Sequence, residues 1–185
     1  MKKLLENIKL WFGKNELKSK LNQYSRKPIF KSFEATKNIG ILFNANTQQD
    51  FDQLKSFALS LKREGKEFEI LGYYPDKVTF DFNTPLKDLH VLNTLDLEWN
   101  FIPKHHFALN FINKPFDILI DLNFEKQFPL TYISHTSKAN FKVGRFDTEN
   151  QKNLDFMLET PENGNLESFL KQLEKYLFNL NSKAA

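Results

Sequence analysis

The chain of 185 residues has no cysteine and little glycine. The absence of cysteine excludes disulfide bonds, thiolate catalysis and cysteine-based zinc sites, and it fits a reducing compartment. Six glycines stand against 20 phenylalanines. Glycine lets the backbone approach a phosphate closely, and the low glycine content therefore counts against a nucleotide-binding loop. Hydrophobic residues at 41% and charged residues at 26% are otherwise typical of a globular protein.

Long apolar runs are also absent. The chain starts with basic residues, as a signal peptide does, but Glu6, Asn7 and Lys9 interrupt the apolar segment that would have to follow. No stretch approaches the roughly 20 apolar residues that a membrane-spanning helix needs. We therefore predict a cytoplasmic protein without a transmembrane segment.

The common catalytic and cofactor motifs are missing. The first predicted strand–helix turn, residues 44–49, contains no glycine, so it lacks the G-x-G-x-x-G loop that binds dinucleotides. The P-loop, nucleophile-elbow and H-E-x-x-H patterns are absent as well. The adjacent His105 and His106 project in different directions, which favours surface or partly buried histidines over a metal site. The sequence indicates no catalytic residue, no metal and no cofactor, and it leans away from an enzyme.

Hydrophobic patterns predict an α/β fold. Two short apolar runs, residues 38–45 and 115–122, are typical of strands buried on both faces of a parallel sheet. A helix follows the first run, with Asn46 or Thr47 as its N-cap. Further strands are predicted at 67–74, 78–82, 89–92, 141–144 and 154–158, and further helices at 104–113, 129–137 and 167–180. This order predicts a single three-layer, Rossmann-like domain with a mainly parallel sheet, spanning residues 38–181.

A basic helical extension, residues 1–37, precedes this domain. Residues 1–38 hold ten Lys or Arg and three acids, a net charge of +7, so the remainder carries −4. At helical spacing, the apolar residues form two faces that follow one another along the chain and point to different sides of a continuous helix. The first face consists of Leu4, Leu5, Ile8, Trp11 and Phe12, and the second of Leu17, Leu21 and Tyr24. We interpret this change as two short helices that meet in a bend at Gly13 and end before Pro28.

The extension is the strongest functional feature of the sequence. Lysines neutralise phosphates and aromatic side chains stack on bases, so this mixture favours RNA or a ribonucleoprotein such as the ribosome. It also suits an anionic membrane surface, a partner protein, or packing on the protein's own sheet. We predict a non-catalytic binding or adaptor protein that engages an acidic partner. The predicted partner-binding residues are Lys2, Lys3, Lys9, Trp11, Lys14, Lys18, Lys20, Arg26 and Lys27.

A second candidate site lies at the carboxyl ends of the strands, where open α/β sheets bind ligands. Arg145 could bind a phosphate or carboxylate there, although we favour a pair with Asp147. Asp117 and Asp121 are separated by roughly 13 Å of strand, too far for a cooperating acid–base pair. The alternative function is therefore a small ligand-binding or enzymatic domain for a nucleotide or sugar nucleotide. Its predicted residues are Asn44, Asn46, Tyr73, Asp121, Asn123 and Arg145.

Two resemblances rest on these segments. The strand 116–122, followed by a helix and by residues 139–145, is similar to part of the amino-terminal Rossmann-like half of heptosyltransferase-type glycosyltransferases. That half is followed in those enzymes by a domain that binds the sugar nucleotide and that this chain lacks, so the resemblance does not imply glycosyl transfer. The whole chain more closely resembles a small domain-of-unknown-function family of Bacteroidota. That resemblance rests on the basic start and on residues 38–45, 115–122 and 141–145, and it implies no activity.

Overall fold

The computed structural model of the chain describes residues 1–23, 26–44, 47–75, 86, 88–148, 151–160 and 165–179. The elements of this part of the chain are α1 Lys2–Gln23, β1 Asn38–Phe43, α2 Gln48–Arg63, β2 Glu67–Tyr73, β3 Leu89–Leu92, α3 His106–Asn113, β4 Ile118–Leu122, α4 Phe128–Thr136, β5 Phe141–Arg145, β6 Phe156–Leu158 and α5 Leu166–Asn179. The predicted strand 78–82 and the candidate residue Asn46 lie outside the described residues.

The six strands run parallel in one sheet, in the order β3–β2–β1–β4–β5–β6. This is the strand order of a doubly wound, Rossmann-type sheet. Helices α2 and α5 cover one face, where Phe51 and Phe169 pack in the same core as Ile41. Helices α3 and α4 cover the other face, where Phe111 packs in the same core as Leu119. The predicted three-layer α/β fold is confirmed.

Local signals set the ends of α2. The Thr47 hydroxyl accepts a hydrogen bond from the Asp50 amide, and the Asp50 carboxylate accepts one from the Thr47 amide. This reciprocal pair satisfies amides that the first turn of a helix leaves free. Gly65, with a φ of 71°, follows the helix in the left-handed conformation that glycine tolerates best. Thr47 is thus the N-cap.

The predicted bend at Gly13 is wrong, because α1 is one continuous helix from Lys2 to Gln23. Gly13 is instead a point of close contact with the rest of the protein. A Cβ atom at this position would overlap the carbonyl oxygen of Asn100 and lie 2.7 Å from the ring of Phe128. The glycine therefore serves close packing, which a one-dimensional pattern does not distinguish from a helix break.

The extension packs on the domain from the middle of α1 onward. Leu17 is buried in a cluster with Ile102 and Tyr132, on the outer side of α4. After the helix, the chain runs along the amino ends of the strands, where the Ile29 amide donates to the carbonyl oxygen of Asn140 at 2.9 Å. Residues 26–37 are therefore bound to the sheet. Among the described residues, no helix has both the length and the apolar character to cross a membrane.

Candidate functional site

The structure brings part of the predicted ligand-binding set together. Asp121, Asn123 and Arg145 line one recess at the carboxyl ends of β4 and β5, next to Phe124. The recess has a volume of about 20 Å³, which is room for about one water molecule. A nucleotide-sized ligand needs a site of about 300–1,000 Å³, so this recess by itself is too small for one.

Asn123 has a structural task in this recess. Its side-chain amide donates to the carbonyl oxygen of Gln127 at 3.0 Å, and its side-chain oxygen accepts from the Gln127 amide at 2.8 Å. Its own backbone amide donates to the Asp121 carboxyl at 2.9 Å. These bonds hold the turn between β4 and α4 in place.

Asp121 is buried beneath α4. Burial raises the pKa of its carboxyl above the usual range, and the Ser134 side chain, the Asn123 amide and the charge of Lys142 oppose that rise. Gly144 is its neighbour across the strands, and a Cβ there would lie 3.4 Å from the Asp121 side chain. The atom nearest to such a Cβ is a methyl carbon of Leu154 at 2.8 Å, so it is mainly Leu154 that fills the space the glycine leaves open.

The other described members of the predicted set, Asn44 and Tyr73, lie at the ends of β1 and β2 and do not line this recess. The Arg145 guanidinium, in β5, stacks 4.8 Å from the ring centroid of Phe124, while Asp147 pairs with Lys126 at 2.9 Å. The carboxamide of Asn44 donates to the backbone carbonyl oxygen of Tyr73 at 3.0 Å, and this bond links the carboxyl ends of β1 and β2.

Partly buried ion pairs lie at the opposite, amino end of the sheet. Arg26 donates to both carboxylate oxygens of Asp155, each at 2.6 Å. The ammonium of Lys31 donates to Asp117 at 2.6 Å, and the backbone amides of Lys37 and Asn38 donate to the same carboxylate. Burial would raise the pKa of Asp117, but these bonds hold that pKa below its usual value. Asp117 and Asp155 thus fasten residues 26–38 to the sheet.

The most unusual residue at this end is Lys142, which the sequence analysis did not select. It lies in β5 and is 2% exposed. Its ammonium donates to the carbonyl oxygens of Ser134 at 2.7 Å and His135 at 3.0 Å, at the carboxyl end of α4, where the helix dipole favours a cation. Burial, followed by the charge of Arg26, lowers the pKa of Lys142 to about 7. The sequence contains one signal that could have identified Lys142, which is its position as a lysine inside an otherwise apolar predicted strand.

The first half of α1 forms an exposed apolar stripe, Leu4, Leu5, Ile8, Trp11 and Phe12. Leu4 is 64% and Trp11 59% exposed. The rings of Trp11 and Phe12 lie 5.0 Å apart, and Phe12 lies 5.4 Å from Trp99, which is itself 58% exposed. At 3.6 residues per turn, Leu4 and Ile8 lie on the side of the helix opposite Gly13 and Leu17. Leu4 and Ile8 therefore face away from the body, and Phe12 borders the body at Trp99.

The basic residues of the extension differ in what they contact. Arg26 is paired with Asp155, and Lys20 donates to the Tyr132 hydroxyl and lies 3.9 Å from Glu16. Within the described ranges, no carboxylate forms an ion pair with the other exposed lysines of the predicted set. These are Lys3, Lys9, Lys14, Lys18 and Lys27. Most of the positive charge of the extension is thus turned outward.

Three of the four histidines, His90, His105 and His106, pack against Phe107. His90 stacks on Phe107 with ring centroids 3.9 Å apart, and His106 lies 4.1 Å from the same ring. In the part of the chain that the structure describes, no group of three or more His, Asp or Glu side chains could hold a metal ion.

The comparison with known proteins identifies a family without a known activity. The sequence profile of a family of unknown function, DUF6913, matches residues 9–180. The match includes the sheet, the segment that fastens the extension, and most of α1. No curated protein matches the chain.

Proposed function

We propose that this chain, which belongs to the DUF6913 family, is a cytoplasmic binding or adaptor protein that engages RNA or a ribonucleoprotein through the outer surface of α1. The observation that supports this proposal most directly is the exposed aromatic cluster of Trp11 and Phe12 on α1 with Trp99 of the body. Next to it, α1 carries lysines that form no ion pair with any carboxylate of the described residues. Exposed rings offer faces on which bases stack, and lysines neutralise the phosphates between them.

The attachment of α1 supports the proposal in a second way. Gly13 and Leu17 hold the helix against the body, so its outer surface is presented in a fixed orientation. A partner that binds this surface does not have to order the helix first, which lowers the entropic cost of binding. Trp99 comes from the body and extends the aromatic surface beyond the helix.

The test is a titration of fluorescently labelled single-stranded RNA with the full chain at several salt concentrations. If about four lysines contact phosphates, affinity should fall about 50-fold between about 50 and 200 mM salt, because the salt slope for single strands is about −0.7 per phosphate. Trp11→Ala should weaken binding by about 5- to 150-fold, the effect of losing about 1–3 kcal/mol of base stacking.

Matched charge reversals provide the control. The double change Lys3→Glu and Lys9→Glu should abolish most of the affinity, whereas Lys171→Glu with Lys175→Glu, on the exposed side of α5, changes the net charge equally and should have little effect. Binding that is absent, insensitive to salt, or weakened equally by both pairs would refute RNA as the partner.

Attachment to an anionic membrane is a second candidate, favoured by the aliphatic part of the stripe. Leu4, Leu5 and Ile8 are exposed, although base stacking makes no use of them. Apolar residues flanked by lysines are typical of helices that lie in the headgroup region. This candidate predicts co-sedimentation of the full chain with phosphatidylglycerol vesicles that is lost with Leu4→Ser and Ile8→Ser. RNA affinity should survive those changes if RNA is the true partner.

The ligand-binding alternative at the carboxyl end of the sheet stays a prediction. Its described residues bond mainly to one another and to the backbone, and the recess between them holds about 20 Å³. A thermal-shift screen with nucleotides and sugar nucleotides tests it, because a ligand at 100 times its dissociation constant adds about 2.7 kcal/mol of stability.

A further inference from the structure

A cleft of about 520 Å³ lies between α1 and the amino ends of β5 and β6. Small-molecule sites occupy about 300–1,000 Å³, so the cleft has room for a small ligand. Its lining includes five Lys or Arg side chains and a single carboxylate. These residues are Lys14, Lys18, Arg26, Lys142, Lys152 and Asp155.

The single carboxylate is already in use. Asp155 accepts bonds from one guanidinium nitrogen of Arg26 at both carboxylate oxygens, and it also accepts the backbone amide of Lys142 at 2.7 Å. Among the described residues, no other carboxylate forms an ion pair with the three lysines at the opening of the cleft. Those lysines are Lys14, Lys18 and Lys152. The cleft therefore has positive charge that the described protein does not neutralise.

Lys142, at 2% exposed, is the most buried residue of this lining. An ammonium group has three donors, and the bonds to Ser134 and His135 use two of them. In the described part of the chain no third acceptor contacts it. Burial and the positive charge of Arg26 lower its pKa to about 7, and the charges of Asp155 and Asp121 oppose this without offsetting it. An anion in the cleft would supply both an acceptor and the missing charge.

Two other cavities of similar size differ in their charge. The cavity of about 570 Å³ at the amino ends of β1 and β2 combines three lysines with Glu67 and Asp88. The cavity of about 660 Å³ between α2 and α5 combines Arg63 and Lys171 with three acids. Acids nearly balance the basic residues in both of these linings, so only the cleft behind α1, among these three, has a large excess of one sign.

We propose that the cleft behind α1 binds a phosphate group, with Lys142 at its floor and Lys14, Lys18 and Lys152 at its opening. A phosphate monoester carries up to two negative charges and offers several oxygens, so it can accept bonds from several ammonium groups at once. This site is distinct from the aromatic surface of α1, because its floor is on β5. A phosphorylated metabolite and the terminal phosphate of a nucleic acid present the same chemistry to it.

Isothermal titration of the full chain with inorganic phosphate, and separately with AMP, tests the site at constant ionic strength set with chloride. We expect saturable binding at one site per chain. Lys142→Met should weaken it about tenfold or more and Lys152→Ala about threefold, as expected for the loss of charge-assisted bonds. Lys171→Ala, remote from the cleft, is the control and should leave the dissociation constant unchanged.

The outcomes separate this site from the proposed RNA surface. The double change Lys3→Glu and Lys9→Glu should leave phosphate binding intact. If a 5′-phosphorylated RNA competes with AMP, the phosphate group that the cleft binds comes from a nucleic acid. Phosphate binding without RNA binding would support the phosphate site in the cleft and refute the RNA-binding surface on α1. No saturable binding, or binding that neither Lys152→Ala nor Lys142→Met weakens beyond the control, would overturn the inference. If Lys142→Met does not fold, Lys152→Ala decides.

Discussion

The two halves of α1 use the same helical period for different purposes. Residues 13–21 place Gly13 and Leu17 against the body, and Leu17 is 7% exposed. Residues 4–12 place Leu4, Ile8 and Trp11 on the other side of the helix, where they face solvent. An amphipathic pattern thus identifies an apolar face but not the surface that covers it. In this helix, only the second face is covered by the protein itself.

The largest expected difference between the halves is in stability. Leu17→Ala should lower the free energy of unfolding by about 3 kcal/mol, because it leaves a cavity between α1 and α4. Leu4→Ala removes the same atoms from an exposed position and should cost less than about 0.5 kcal/mol. Urea unfolding followed by circular dichroism measures both. Equal losses would mean that the two halves are packed alike.

A pH dependence should report how well the docked half of α1 encloses Lys142. Above pH 7 the folded protein holds Lys142 mostly neutral, whereas the unfolded chain keeps it protonated up to its ordinary pKa of 10.5. The unfolded state then binds more protons, so stability should rise with pH between about 7 and 10, by at most about 1.4 kcal/mol per pH unit.

The variant that checks this prediction is Lys142→Met, compared with Lys171→Met on exposed α5 in the same buffers. Unfolding curves at pH 7, 8.5 and 10 should show a smaller rise for Lys142→Met than for wild type, while Lys171→Met should follow wild type. Parallel curves for all three proteins would show that Lys142 titrates as an ordinary surface lysine.

The smallest expected effect concerns Gly13. Alanine is the better helix former by about 1 kcal/mol, so a free helix would gain from Gly13→Ala. In the protein the new methyl group would meet Asn100 and Phe128, and overpacking costs typically 1–3 kcal/mol. We expect a net loss of about 1 kcal/mol in thermal or urea unfolding. Asn15→Ala, on the exposed side of α1, should be neutral or slightly stabilising.

Much of the domain could be predicted because its signals are local. The apolar runs that became β1 and β4, the Thr47 cap and Gly65 each depend on a few neighbouring residues. Element ends were less accurate. The helix predicted at 104–113 begins at His106, because the His105 side chain accepts the Phe107 amide as an N-cap. Histidine is a rare N-cap, so the residue types around position 105 do not indicate that the helix begins there.

The candidate sites were harder to predict because they depend on long-range contacts. The sequence predicts Arg26 as a partner-binding residue, yet it pairs with Asp155, which lies far along the chain. Asp121, Asn123 and Arg145 do meet at the carboxyl end of the sheet, as parallel strands require. Their close packing around a recess of about 20 Å³ was not visible in the sequence.

The sequence by itself determined the elements, the parallel α/β architecture and the excess of positive charge in the first 38 residues, because these follow from the order and kind of neighbouring residues. Only the tertiary structure decided that α1 is unbroken, which of its faces is buried, and that Lys142 lies at the bottom of a basic cleft. These features arise where segments distant in the chain meet, and no local pattern encodes such a meeting.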